Sequence, residues 1–413
     1  MRGRGAARGG LLRHRDFGLL WGGQTVSELG TAVSVLALPL IAVLALHATT
    51  FQVGVLTALQ FAAFLLVGLP AGAWCDRVRR RPVMMGTDVV RAALLGSIPI
   101  AAVAHVLTIW QLFAVALLHG IATVFFDVAY QSYLPSLVGR DRLIEGNARL
   151  QTSSSVAQVV GPTLGGYLVQ LLTAPFAVIA DAASFLVSVA GVALIRAPEP
   201  APERPAERNL AAEIGEGLGF VLRHPILRMI AGTTGTANLF SAAFTALAVV
   251  FLVRSVHLPA ATIGVLMSAG SIGGIVGAVA ASALTRWIGQ ARIIWLSMAV
   301  CTPLGLLIPL TRPGAGLALF AAGSFAISFG AVVYNVAQVS FRQAQCPPRL
   351  LGRMNATMRF LVWGTMPLGG LLGGALGSWI GLVPALWVTR IGGVVAVVWV
   401  LASPLRRMRS LDS

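Results

Sequence analysis

Residues 72–81, Gly72-Ala-Trp-Cys-Asp76-Arg77-Val-Arg79-Arg80-Arg81, join two long apolar runs at 52–74 and 83–105. Four arginines and an acid fill a gap too short to hold a domain of its own. Each flanking run exceeds the roughly 20 mostly apolar residues needed to cross a bilayer as a helix. Basic residues crowded between two such runs are the mark of a loop that stays on the inner side of a membrane. The same layout recurs in both directions, with apolar runs at 18–46, 52–74, 83–105, 109–134, 148–172, 175–195, 226–253, 261–285, 292–311, 315–340, 356–378 and 383–404. None has the short alternating pattern of a membrane β-barrel. The sequence therefore predicts an all-α membrane protein with twelve transmembrane helices.

Composition agrees. The 413 residues are 57% hydrophobic and 11% charged, where a soluble domain carries about 25% charged residues. The formal net charge is +16, and all 30 basic residues are arginine. In a soluble chain that charge would point to nucleic acid. Here it is confined to gaps between apolar runs, so the expected partner is the lipid bilayer. Threading the runs alternately leaves only Arg91, Arg254, Arg312 and Arg390 off one side. The positive-inside rule then places that side, with both termini, in the cytoplasm of a multi-pass cell-membrane protein. Cys75, Cys301 and Cys346 lack metal or redox spacing, so neither a metal site nor a disulfide is expected. Without lysine there is no Walker-type phosphate loop, and no His-Glu-x-x-His or Gly-x-Ser-x-Gly cluster occurs. The chain is not expected to be an enzyme or to hold a cofactor.

The longest gap, 197–224, separates a half at 1–196 from a half at 225–413. Leu210, Ile214, Leu218 and Leu222 recur every four residues opposite Glu213 and Glu216, which predicts an amphipathic helix on the membrane surface. The halves repeat each other at an offset of 208 to 210 residues. Arg13-His14 precedes span 1 as Arg223-His224 precedes span 7, Asp127-Val-Ala matches Asn335-Val-Ala, and the glycines at 161, 165 and 166 match those at 369, 373 and 374. Two parallel six-helix halves place a substrate site between them near the midplane, with access alternating as the halves rock.

The pattern Gly72-x-x-x-Asp76-Arg77-x-x-Arg80-Arg81 resembles the signature loop between helices 2 and 3 of the major facilitator superfamily. Gly72 allows close helix approach, while Asp76 and the arginines can form charge-assisted pairs. The resemblance implies a latch between the halves. Gly161-Pro162-x-x-Gly165-Gly166 is similar to the antiporter signature of drug/proton exporters in that superfamily, with Ala148 and Ala157 where the signature has glycine. Segments Phe17 to Gln24, Asp181-Ala-Ala-Ser184-Phe185 and Gly352-Arg353 resemble a branch that includes enterobactin-type siderophore exporters and macrolide efflux proteins. These resemblances imply a monomeric secondary transporter of small molecules.

Few acids lie inside the spans, and an ionisable group there costs at least ~2.5 kcal/mol. The resemblance implies that Asp127 pairs with Arg77 or Arg80 in the latch. Asp88 and Arg91 are three residues apart near the cytoplasmic end of span 3 and read as a local structural pair. Glu28 shares a polar face with Gln24, Ser27 and Thr31, has no basic residue near it in sequence, and stands opposite Asn238 by the repeat. It reads as the group that alternates between a proton and a polar or cationic substrate, against the alternative of a protonated packing residue. Asp181 is the second proton candidate, with hydrogen bonding to a neighbouring helix as its alternative. Tyr334, Asn335 and Gln338 form a polar patch expected to face the cavity. The expected function is proton-coupled export of small amphipathic or cationic molecules. Siderophore or metabolite export or uptake, or a non-transporting receptor or scaffold, are the alternatives. If the Arg77–Arg81 cluster is a gate rather than a topology signal, replacing Arg80 by Gln will lower transport far more than Arg407→Gln at equal expression. Equal losses would leave the cluster a topology signal only.

Overall fold

The computed structural model describes residues 11, 14–75, 77–139, 142–199, 210–347 and 350–408. Among them the secondary structure is helical throughout. The first half comprises α1 (Arg15–Leu40), α2 (Thr50–Cys75), α3 (Arg80–Val103), α4 (Ile109–Val138), α5 (Leu143–Leu172), α6 (Ala174–Ala177) and α7 (Ile179–Ala193). A linker helix, α8 (Leu210–Arg223), follows. The second half comprises α9 (Pro225–Arg254), α10 (Ala260–Ile288), α11 (Gln290–Cys301), α12 (Leu317–Gln345), α13 (Leu351–Trp363), α14 (Thr365–Trp379) and α15 (Leu382–Leu401). Helices α6 and α7 form one crossing, as do α13 and α14. Among the described residues 11 helical stretches are long and apolar enough to span a membrane. Helix α5 makes up the twelfth crossing; its 30 residues suffice in length, but Gln151, Thr152, Ser153, Ser154, Ser155 and Gln158 dilute its apolar character.

Local chemistry explains where the helices begin. The imidazole Nδ1 of His14 accepts the N–H of Phe17, and that of His224 accepts the N–H groups of Ile226 and Leu227. The repeated Arg-His pair thus encodes an N-cap, satisfying donors that a helix start leaves orphaned. Accepting these bonds requires a neutral ring, and burial lowers the His224 pKa in that direction. The repeat extends to strained backbone. Left-handed φ angles occur at His47 and His257, at His105 and Gly314, and at Thr173 and Gly381, each pair related by nearly the same offset. Such φ values are uncommon without glycine, so their recurrence marks equivalent loops.

Packing follows the same two-fold pattern. In the first half α1 lies against α5 and α7, and α2 against α4; in the second, α9 lies against α14 and α15, and α10 against α12. The halves meet along two crossings, α5 on α10 and α2 on α14. One apolar core joins both halves at the face away from the termini, combining Leu40, Ile41 and Phe185 with Phe251, Leu252 and Phe320. Towards the terminal face the core splits in two. Phe17, Met84 and Tyr133 belong to one part, and Ile230, Phe341 and Met354 to the other. The molecule is therefore closed at the face opposite the termini and parted at the terminal face.

Glycine makes the closure possible. A Cβ at Gly264 would strike the carbonyl of Pro162, one at Gly166 the carbonyl of Ala260, and one at Gly374 the backbone of Gly54 and Phe51. Polar bonds reinforce the seam. Thr163 and Ser268 hydroxyls are 2.8 Å apart, Arg254 donates to the Ala48 carbonyl at 2.6 Å, and Ala261 N–H donates to Gln170 at 3.3 Å.

The linker helix also has protein partners. It packs on α13 and α9, with Val221 fully buried and Glu216 paired with Arg353. Of its apolar residues, Leu218 is half-buried and Leu222 is 51% exposed. Gly72 departs from expectation: a Cβ there would meet nothing within 4 Å, so no close helix approach occurs at that position. Valine at Gly264 or Gly374 should wedge a crossing apart at a cost of about 1–3 kcal/mol. Cysteine placed at Gln170 should then become more reactive to membrane-impermeant maleimide; unchanged labelling and melting would show that closure does not rest on these contacts.

Candidate functional site

The wall of the first half facing the parting carries a polar cleft of about 570 Å³, lined among others by Gln24, Thr25, Glu28, Tyr130, Gln151 and Ser154. Helix α1 supplies Glu28 about 20 Å along its axis from Arg15, at 1.5 Å per residue. The Glu28 carboxylate is exposed to the cleft and accepts the Ser154 hydroxyl at 3.3 Å. Gln24 lies one turn away and is buried, donating to Ser188 at 3.4 Å. Trp21 Nε1 and the Thr25 hydroxyl both donate to Ser153, fixing α5 against α1 at the cleft floor.

Asp127 is exposed on α4, one turn before Tyr130. Among the described residues it makes no ion pair with Arg77 or Arg80. The expected latch contact is therefore absent from this conformation. The reason is helix length: α4 continues to Val138, which places Asp127 about 16 Å from that helix end. Its charged neighbours are Arg91, Glu28 and, from the opposite half, Arg359. Asp76 lies outside the described residues. The start of α3 meets the linker instead: Glu199 accepts the N–H groups of Arg80 and Arg81, and the Arg81 guanidinium donates to the Ala193 carbonyl. An acid at a helix N-terminus satisfies orphan donors and complements the helix dipole.

Behind the cleft wall is a buried charge cluster. Because α3 begins at Arg80, Arg91 lies about 16 Å into the bundle, near its middle rather than near the cytoplasmic end. Its guanidinium pairs with Asp88 and rests between Phe126 and Phe185, 4.2 and 4.3 Å from the ring centroids. Asp181 is fully buried and does not line the cleft. Its carboxylate accepts the Ser184 hydroxyl at 3.2 Å, and a Cβ at Gly30 would sit 2.7 Å from it. Glycine at 30 thus leaves room for an acid between α1 and α7. Arg91 is within electrostatic reach of Glu28, Asp127 and Asp181 alike.

The second half faces the cleft with fewer charges. Asn335 is exposed at the position that repeats Asp127, and accepts from Gln338 at 2.9 Å. Gln338 and Tyr334 are buried, contrary to the expected cavity-facing patch. Tyr334 bonds to Thr234 at 2.7 Å, which turns it into the bundle. Asn238 donates to the Val362 carbonyl at 3.2 Å, bracing α9 against α13 rather than facing Glu28. Arg359 is exposed, stacked 4.5 Å from the Phe64 ring of the other half and 5.1 Å from Trp363. Reading Arg359 as loop charge missed this, since only the helix start at Leu351 shows that it lies about 12 Å inside. The antiporter-like segment packs helices: Gly161 and Gly165 admit Ala32 and Val33 of α1, while Pro162 and Gly166 meet α10.

Comparison with known proteins accords with this architecture. The family model described as Major Facilitator Superfamily matches residues 20–366, and the chain belongs to that family. It is similar to the multidrug efflux pump Tap of Mycolicibacterium fortuitum, at 25% identity over 93% of this chain and 94% of the pump. It is also similar to macrolide efflux protein A of Streptococcus pyogenes, at 22% over 96% and 97%. The enterobactin exporter EntS of Salmonella typhi is 26% identical over 87% and 86%. Among solved structures, the nucleoside transporter NupG shares the fold with a TM-score of 0.75, covering 94% of this chain and 98% of NupG at 13% identity. The protein is a multi-pass membrane transporter of small molecules and not an enzyme.

Asp88→Asn would leave Arg91 buried without its counter-ion, a change that typically costs about 3–5 kcal/mol. The melting temperature in detergent should fall sharply and recover in the double variant Asp88→Asn/Arg91→Gln. No recovery would show that the aromatic cradle, not the ion pair, sets stability there.

Proposed function

We propose that this transporter exports small amphipathic or cationic molecules from the cytoplasm in exchange for protons. The observation that carries the reading is Glu28, an intramembrane acid exposed on a polar cleft with a serine hydroxyl as its hydrogen-bond partner. A carboxylate in that position is not held ionised by a salt bridge of its own, so it is free to trade a proton for a cationic substrate group. Asp127, exposed one turn from the cleft, adds a second negative charge on the same wall. Tyr130 supplies an aromatic face suited to an amphipathic cation. The basic loops orient the terminal face, where the halves part, towards the cytoplasm. The split core on that side gives the cleft an opening for cytoplasmic substrate. Similarity to drug, macrolide and enterobactin exporters supports the outward direction.

Arg359 favours a second reading, export of an anionic metabolite such as a siderophore, in which the cation on the opposite wall engages substrate. The two readings separate in one experiment. In a host lacking efflux pumps, expression should lower accumulation of cationic dyes, and collapsing the proton gradient should abolish the effect. Glu28→Gln should uncouple dye export from the pH gradient, with Arg359→Gln causing the smaller loss. Full coupling in Glu28→Gln would remove this acid from the mechanism, while a larger loss in Arg359→Gln for anionic substrates would favour the second reading.

A further inference from the structure

Arg390 is an intramembrane cation that the export mechanism does not use. It lies eight residues into α15, about 12 Å from that helix end. The side chain is 8% exposed. Its guanidinium sits 3.6 Å from the Phe244 ring centroid of α9, and its stem passes Gly305, which has no side chain to block it. The buried Nε has no hydrogen-bond partner. Neither terminal nitrogen meets a protein acceptor among the described residues.

The sequence offers this group no counter-ion. Of the 14 acids in the chain, only Asp412 follows residue 216. Every other acid belongs to the first half or the linker. The first half shows what the same bundle requires of a buried arginine: Arg91 also rests on aromatic faces, yet it pairs with Asp88. A cation–π contact is worth about 0.5–2 kcal/mol, whereas burying an unpaired ion costs several kcal/mol. The aromatic face alone does not offset that cost.

We infer that Arg390 is the anchor of an anion site inside the second half, its guanidinium, backed by Phe244, holding a small monovalent anion, halide or carboxylate. The anion takes the part that Asp88 plays beside Arg91. Because it comes from solution rather than from the chain, the stability of this half depends on the salt present. The inference does not rest on the direction of transport or on proton coupling.

Thermal melting of the purified full-length protein tests it, with sodium chloride, sodium acetate or the bulkier sodium gluconate titrated at constant ionic strength. The expected result is a saturable rise of roughly 5 °C in chloride or acetate but not in gluconate, and no such rise in Arg390→Gln. Whichever of the two anions acts at lower concentration identifies the class. Radiolabelled chloride and acetate binding to the wild-type protein provides a measure independent of whether the variant folds. Identical melting in all three salts with no bound label would overturn the site, as would an undiminished anion effect in Arg390→Gln.

Discussion

A charge placed within a lipid-embedded bundle has to be answered inside the protein, because no water is there to answer it. That constraint organises this structure. Arg91 is answered by Asp88 and two aromatic faces. Asp181 is answered by a serine and by the space that Gly30 leaves beside it. Glu28 opens onto a cleft instead, and Asp127 is exposed one turn from Tyr130 on its wall. The enclosed groups are answered by fixed protein partners, whereas Glu28 and Asp127 are exposed. Burial thus sorts four acids of similar sequence context into two kinds.

How the halves meet determines when the cleft is accessible. Glycines at 54, 166, 264 and 374 allow backbone to touch backbone on one face. Such contacts carry no long side chains that must untangle, so a seam of this kind can part and re-form with little rearrangement of rotamers. The opposite face has two separate cores and needs no contact to be undone. Glu199 links these features, because it caps α3 beside the signature arginines from the linker that connects the halves.

Much of the fold was legible in the sequence, since lipid imposes a length and a charge rule that a dozen apolar runs satisfy visibly. Helix N-caps were half legible: Arg13-His14 and Arg223-His224 stood out as a repeat, but their role as caps needed geometry. The site was read less fully. Glu28 could be found because an acid on a polar helical face is conspicuous. Arg359 could not, because its depth depends on where its helix starts, and α13 begins five residues before the apolar run; the depth of Arg390 was legible in the run 383–404, but not its lack of a partner. Asp127 lies deeper than its apolar run suggested for the same reason, α4 being a full turn longer than that run.

The repeat makes the inequality of the halves specific. An offset of 209 residues relates Asp181 on α7 to Arg390 on α15, and each packs against the first helix of its own half. One position therefore holds an acid beside Gly30 and, in its counterpart, an arginine over Phe244. A symmetric scaffold tolerates this only if the surroundings change sign with the residue. In the first half they do, through Arg91 nearby. In the second half aromatic area replaces the small polar residues, and the acid is missing altogether. The halves share a backbone plan but not an electrostatic one, so the intramembrane acids are confined to the first half, while the second contributes cations and shape.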